Sequence, residues 1–321
     1  MVYQILKFGI QHPSFTHDGQ GPQIIDTLST LAKTAEQLGY ESLWVMDHFH
    51  QIEYVGKPEE PMLEGWATIS VLAGMTSKLK FGTMVTGNIY RHPSVLAKVG
   101  ATLDVLSKGR LILGIGAGWN EAESRAYGIP FPSTRERLER LDEAVQIIEK
   151  MWTEEKSSFS GKYYKIDNAI CNPKPIQKPR PMVLIGGSGE KYLLRTVAKY
   201  GDACNLFGSP ETVRRKLDIL CEHCKAVGRD YDSIVKTKLT QLLISEDEGM
   251  IKGIVDRISK MMPPGMNVNE VILHGTPEQV KSKLSQYSDA GVQYMIVSAS
   301  GPGELQSLKL FGEKVMPALN H

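Results

Sequence analysis

LSKGRLILGIGAGWNEAESRAYGIPFPSTRERLERLDEAVQII, residues 106–148, holds in one run a short apolar strand, a glycine-rich turn, an irregular excursion and a long amphipathic helix. Leu111 to Ile115 is apolar throughout, as a strand buried on both faces should be. Beyond Pro132, Ser133 and Glu136 stand at capping-box spacing ahead of Leu138, Leu141, Val145, Ile148 and Trp152. A strand followed by such a helix is one unit of a parallel α/β fold.

Seven more units flank it. The strand candidates are Ile5 to Ile10, Ser42 to Met46, Leu79 to Val85, Leu111 to Ile115, Met182 to Ile185, Ala203 to Phe207, Val235 to Ile244 and Tyr294 to Ser298. Between the first two, Ile24, Leu28, Leu31, Ala35 and Leu38 recur at helical steps, and Gly39 ends that helix. Pro93 opens and Gly109 closes another, carrying Leu96, Val99, Leu103 and Leu106. Eight such units predict a (β/α)₈ TIM barrel, residues 1–321 forming a single domain, since barrels of this length are ordinary. Insertions are expected after strands 2, 4 and 7, with an extended segment before strand 5. Asp47 to Leu63, Ala117 to Pro132 and Thr153 to Pro181 are all longer than usual connections. The stretch from Glu246 to His274 should hold a helix over Met250 to Met262, followed by PPGMNVN. There is no internal repeat at a solenoid period.

Composition narrows the function. Hydrophobic residues make up 41% and charged ones 23%, a balance that supports a large core. With 37 Lys and Arg against 36 Asp and Glu, no global field attracts nucleic acid or an anionic membrane. The start MVYQILKFGIQHP lacks the features of a secretory signal, and no segment sustains about 18 apolar residues, so the protein is expected in the cytoplasm. Four cysteines, at 171, 204, 221 and 224, fit a reducing compartment. Cys221 and Cys224 have the spacing of half a zinc site, but no second pair completes it, and no metal is expected.

Three strand ends carry chemistry. LWVMDHFH places Asp47 and His48 at the carboxyl end of the second strand, where barrel enzymes keep their active sites. A carboxylate there can accept a ring N–H and an imidazole can exchange a proton near neutral pH, although a strand-end Asp-His is as readily structural. His50 reads as a solvated loop side chain. Gly114, Gly116 and Gly118 would let a planar ring or phosphate approach the backbone, and tight helix–strand packing explains them equally well. They do not follow the dinucleotide fingerprint. Gly186-Gly187-Ser188-Gly189 is expected to open a helix after the fifth strand, gathering free N–H groups and a hydroxyl where an anion could sit; a purely conformational turn is the alternative.

In order, SLWVMDHF, KFGTMVTGNIYRHPSVLAK, the 106–148 run, NPKPIQKPRPMVLIGGSGE and GTPEQV resemble the luciferase-like monooxygenase superfamily, most closely its coenzyme F420-dependent oxidoreductase branch. The likeness spans almost the whole chain, and the long central run is its specific part. It implies a deazaflavin or flavin ring across the strand ends. Asp47 would contact the cofactor, and His48 would act beside the reactive ring face as acid, base or stabiliser of charge. Met84, Val85 and Thr86 would support the back of the ring, with Gly116, Ala117, Gly118 and Asn120 lining it, while Gly187, Ser188 and Gly189 would hold the phosphate. Trp119 faces the substrate pocket in this reading; related sugar-phosphate dehydrogenases carry a catalytic Glu there, which argues against sugar oxidation. The resemblance further implies a non-prolyl cis peptide at Met84–Val85 and a homodimer through the second and third barrel helices.

The leading function is hydride transfer between F420 and a small organic substrate. An FMN-dependent monooxygenase using oxygen is the second reading, and a non-catalytic flavin-binding protein the third. Retention of the Asp47-His48 pair speaks against the last. Lys156, Lys162, Lys165, Lys174, Lys178 and Arg180 are expected near the phosphate site, where they would favour the longer, more acidic tail of F420 over FMN.

Overall fold

A computed structural model describes residues 6–17, 19, 21–187, 189–262, 267–299, 301 and 303–319. The first half of the chain forms β1 (Lys7–His12), α1 (Gln23–Leu38), β2 (Ser42–Val45), α2 (Gly65–Met75), β3 (Lys80–Thr83), β4 (Thr86–Gly87), α3 (Pro93–Leu106), β5 (Ile112–Gly116), α4 (Glu121–Ala126) and α5 (Thr134–Thr153). Then come β6 (Ser157–Ser160), β7 (Lys165–Ala169), β8 (Met182–Gly186), α6 (Leu193–Tyr200), β9 (Ala203–Leu206), α7 (Pro210–Val227), β10 (Val235–Ile244), α8 (Glu248–Met261), α9 (Val268–Val271), β11 (Ile272–Gly275), α10 (Pro277–Asp289), β12 (Tyr294–Ser298) and α11 (Glu304–Lys314).

The main sheet runs β3-β2-β1-β12-β10-β9-β8-β5-β4, and each neighbouring pair along it is parallel. A parallel bridge between Phe81 and Leu111 joins its two ends, so the sheet closes into a barrel. β3 and β4 together make the third stave, interrupted at the Met84–Val85 peptide, which is cis as expected. All eight expected staves are present, and Gly39 closes α1 with φ of 83°.

The capping box expected at Ser133 is half made. Ser133 accepts the Glu136 N–H, but the Glu136 carboxylate turns to Arg140 at 2.9 Å instead of back to the cap. Reciprocal capping occurs at Thr276 and Gln279, within GTPEQV.

Two features depart from the expected plan. The segment before the fifth stave folds into an antiparallel hairpin, β6 with β7. After the seventh stave, β11 adds to the outer half of β10, pairing Ile272–Gly275 with Gln241–Ile244.

Most apolar side chains lie between staves and helices, while Trp44, Ile112, Leu184, Tyr294 and Ile296 fill the barrel itself. A Cβ at Gly82 would overlap the Trp44 ring, and one at Gly114 the Thr83 carbonyl. Trp44 Nε1 donates to Ser42, which also shares a hydrogen bond with the Tyr294 hydroxyl. Among the described residues the lower interior is therefore filled, and open space lies toward the carboxyl ends of the staves, as the fold's packing rule anticipates.

Candidate active site

At those carboxyl ends lies a cavity of about 360 Å³ whose wall includes Asp47, His48, Val85, Gly116, Trp119 and Gly187. On one side, glycines allow a side chain to pack closely on the main chain. Val85 lies against Gly116 and Gly186, where added Cβ atoms would each stand 2.9 Å from a Val85 methyl group. Gly187 has φ of 145°, and a Cβ there would come 2.7 Å from Leu193 Cδ1. Gly116 and Gly186 thus let the Val85 side chain close directly over their backbone, and at Gly187 only glycine readily adopts the observed conformation.

Two buried acids organise the polar side chains of the site. Glu123, fully buried, accepts from His48 Nδ1 at 2.7 Å, from the Tyr90 hydroxyl and from Phe49 N. Burial alone would push its carboxyl up, but the hydrogen bonds from His48, Tyr90 and Phe49 outweigh that and hold it below the usual carboxylate range. An ionised carboxylate only accepts, so Nδ1 carries the proton. That leaves His48 Nε2 with no protein partner among the described residues, on a side chain that lines the cavity. Trp119 packs edge-on to the His48 ring at 5.6 Å and is half exposed at the rim.

Asp47 is engaged differently. Both its oxygens meet Arg91, at 2.7 and 3.0 Å, and Arg91 also contacts Glu64, the cap of α2. Burial pushes the Asp47 carboxyl up, while Arg91 pulls the other way. For Arg91, burial works against the cation, but Asp47 and Glu64 prevail and raise its pKa. The bidentate geometry is that of an ion pair. Asp47 therefore braces the end of β2 against the start of α2 while bordering the cavity.

Of the residues expected at the site, Asp47, His48, Met84, Val85, Gly116, Ala117, Gly118, Trp119 and Gly187 line this one cavity. Thr86 stands behind it, its hydroxyl held by Trp66 Nε1 at 2.9 Å and Thr83 at 2.6 Å. Asn120 does not line it: its side chain accepts Glu123 N at 3.1 Å and caps α4. Ser188 lies outside the described residues. Gly189 is not in the cavity wall, because α6 begins only at Leu193, after an intervening turn, instead of at the glycines. The basic segment is divided: Lys162 pairs with Glu139 near the start of α5, in a cleft with Tyr192 and Arg195 beside the turn after β8, while two others lie at the opposite end. Arg180 pairs with Asp202 and Glu149 where β8 and β9 begin, and Lys174 binds the carbonyls of Met151 and Glu154 at the end of α5. These two, Arg180 and Lys174, are at the amino ends of the staves. Cys224 is on the core face of α7, and among the described residues no group of His, Cys, Asp and Glu is placed to hold a metal.

Glu123, Arg91 and Tyr90 escaped the reading of the sequence. Glu123 sits among the charges of EAESRA, which look like a solvated face; its only local signal is the Asn120-x-x-Glu123 capping spacing. A second cavity, of about 600 Å³, adjoins the first and shares His48, Met84, Trp119, Phe207 and Leu239 with it.

Comparison with known proteins identifies the family and the fold. Residues 6–249 match the model of the family described as luciferase-like monooxygenase. The chain is 31% identical to an F420-dependent glucose-6-phosphate dehydrogenase of Kineococcus radiotolerans, covering 91% of this chain and 92% of that one. It is 30% identical to the F420-dependent hydroxymycolic acid dehydrogenase of Mycobacterium tuberculosis, over 85% of this chain and 76% of that one. The coenzyme F420 dependent tetrahydromethanopterin reductase of Methanopyrus kandleri shares the fold with a TM-score of 0.80, at 23% identity over 98% of this chain and 99% of that one. This chain belongs to the luciferase-like monooxygenase family.

Proposed function

We propose that this protein is an oxidoreductase that moves a hydride between deazaflavin coenzyme F420 and a small organic substrate. The carrying observation is that one strand-end cavity is lined both by Val85 packed on Gly116 and Gly186 and by a histidine whose other nitrogen is tied to a buried carboxylate. The two F420-dependent relatives, matched over most of the chain, support the choice of cofactor. When bound, F420 would supply hydride chemistry, because a carbon stands where flavins carry N5, which favours hydride transfer over one-electron and oxygen chemistry.

The chain's own residues do the rest. Val85 and the glycines would hold the ring, and Gly187 with its turn would hold the phosphate. Glu123 fixes the tautomer of His48, so Nε2 accepts a proton from a substrate hydroxyl or, once protonated, gives one to a substrate carbonyl. Trp119 and Tyr54, with ring centroids 6.1 Å apart, limit water at the rim. The relatives' names do not carry a substrate across, and Trp119 in place of an acid still argues against sugar oxidation.

The chain would work as one domain and as a homodimer through α2 and α3. Val71 and Met75 on the first and Val95 and Leu106 on the second are large apolar side chains exposed on the outer surface.

A fluorescence titration with F420 and FMN, followed by anaerobic turnover with a panel of alcohols and carbonyl compounds, tests the proposal. Tighter F420 binding and F420-dependent turnover are expected. Tight FMN binding with rapid oxygen consumption by the reduced complex would replace it with the monooxygenase reading, and cofactor binding without turnover with the binding-protein one.

A further inference from the structure

The second cavity holds a cation that the proposed chemistry leaves unused. Lys216 lies on the core-facing side of α7 with Val213, Leu217 and Leu220. It is 7% exposed and lines the 600 Å³ cavity. Its ammonium makes one long hydrogen bond, 3.4 Å to the carbonyl of Phe207. Among the described residues no carboxylate forms an ion pair with it, since Glu190, the acid that draws on it from further away, is taken by Arg215 at 2.7 Å.

A buried ammonium with three donors and one weak acceptor is costly to keep charged, and folding alone gives no reason to place a lysine there when methionine would fill the space. Much of the surrounding wall is apolar: Ile52, Val55, Phe207, Leu239 and Val271. Glu270, the acid on this wall, is exposed. His48 borders the same cavity.

We propose that the second cavity is the substrate chamber and that Lys216 anchors a carboxylate on an otherwise apolar substrate, whose reacting carbon is presented to His48. This rests on the oxidoreductase reading for the role of His48, but not for the binding of the acid. The substrate class is thus a monocarboxylic acid with a hydrocarbon body and an alcohol or carbonyl group away from the carboxylate. The ammonium replaces the water lost by the carboxylate, and the apolar wall covers the chain.

The test uses octanoate and 1-octanol as probes, with binding to the full-length protein measured by calorimetry, without cofactor and again with F420 present. Octanoate should bind about 10–100-fold tighter than 1-octanol, and Lys216→Met should abolish that advantage while leaving 1-octanol binding unchanged. Lys216→Arg should keep part of it. Thermal unfolding provides a separate reading: a lysine kept for a ligand predicts Lys216→Met as stable as the wild type or more so, and a marked loss of stability would assign it a structural role and overturn the proposal. Equal binding of the two probes by the wild type would also overturn it. So would loss of F420 or FMN affinity in Lys216→Met with octanoate binding intact, because the anion would then be the cofactor's phosphate. Failure of the wild type to bind either cofactor would sink the oxidoreductase reading alone, leaving the octanoate result to stand by itself.

Discussion

The barrel keeps buried or partly buried acids at both of its ends and uses them in opposite ways. At the amino ends of the staves, Asp104 accepts from Ile176 N, Gln177 N and the Gln177 side chain at 2.6–3.1 Å, and Glu36 accepts from the backbone of Ser77, Lys78 and Leu79 at 2.8–3.2 Å. These carboxylates tie loops whose N–H groups no strand satisfies. At the carboxyl ends, Glu123 and Asp47 hold side chains instead: an imidazole that lines a cavity, and a guanidinium beside it. The same chemical group anchors backbone where only stability is needed and positions a titratable ring where space is left for a ligand.

The sharpest test of that contrast is at its functional pole. His48→Asn should reduce hydride transfer by about 10²–10⁴-fold while changing cofactor affinity far less, measured by single-turnover absorbance and by titration. Equal losses in both would make His48 a binding residue. Asp104→Ala, at the other pole, should lose roughly 1–3 kcal/mol of stability, because it strands partly buried donors, yet leave turnover per folded molecule unchanged. Denaturant unfolding and active-site-normalised rates check the two halves separately.

Glu123→Gln comes next. It preserves shape but removes the charge that fixes the His48 tautomer, so the rate should fall by about 10–100-fold with a smaller change in stability. A drop in stability as large as that of Asp104→Ala would mean that Glu123 is as structural as the lower acids.

The smallest effect concerns pH. Hydrogen bonds from Lys78, Leu79 and Ser77 outweigh burial at Glu36 and lower its carboxyl to about 2. A depressed folded pKa gives stability that is present above the ordinary glutamate pKa of about 4.3 and lost as pH falls toward the folded value. Unfolding measured from pH 5 down to pH 2 should therefore be steeper for the wild type than for Glu36→Gln, and parallel curves would remove Glu36 from the account.

The staves and the main helices were legible because each carries its own signal: apolar runs bounded by turns, or three- and four-residue steps. The β6–β7 hairpin was not, since Ser157–Ser160 and Lys165–Ala169 are mostly polar and partly exposed, without the alternation that marks a half-buried strand. β11 was hidden for another reason: it has only four residues and is stable because β10 continues past its other neighbours to receive it. At the site, Asp47 and His48 could be read from their place at a strand end. Glu123 could not, because its meaning depends on contact with a residue 75 positions away. Asn120 shows the converse limit, since a polar residue beside the glycines belonged to a helix cap and not to the cavity.

The Trp44, Ser42 and Tyr294 plug has a kinetic consequence. With the lower interior filled, solutes would enter and leave both cavities at the carboxyl ends of the staves. Turnover would then resemble traffic through one doorway: a product slow to clear Trp119 and Tyr54 would retard the next cycle however fast the chemistry runs. Under that regime, viscosity and rim substitutions would govern the steady-state rate while a single enclosed reaction event stayed untouched.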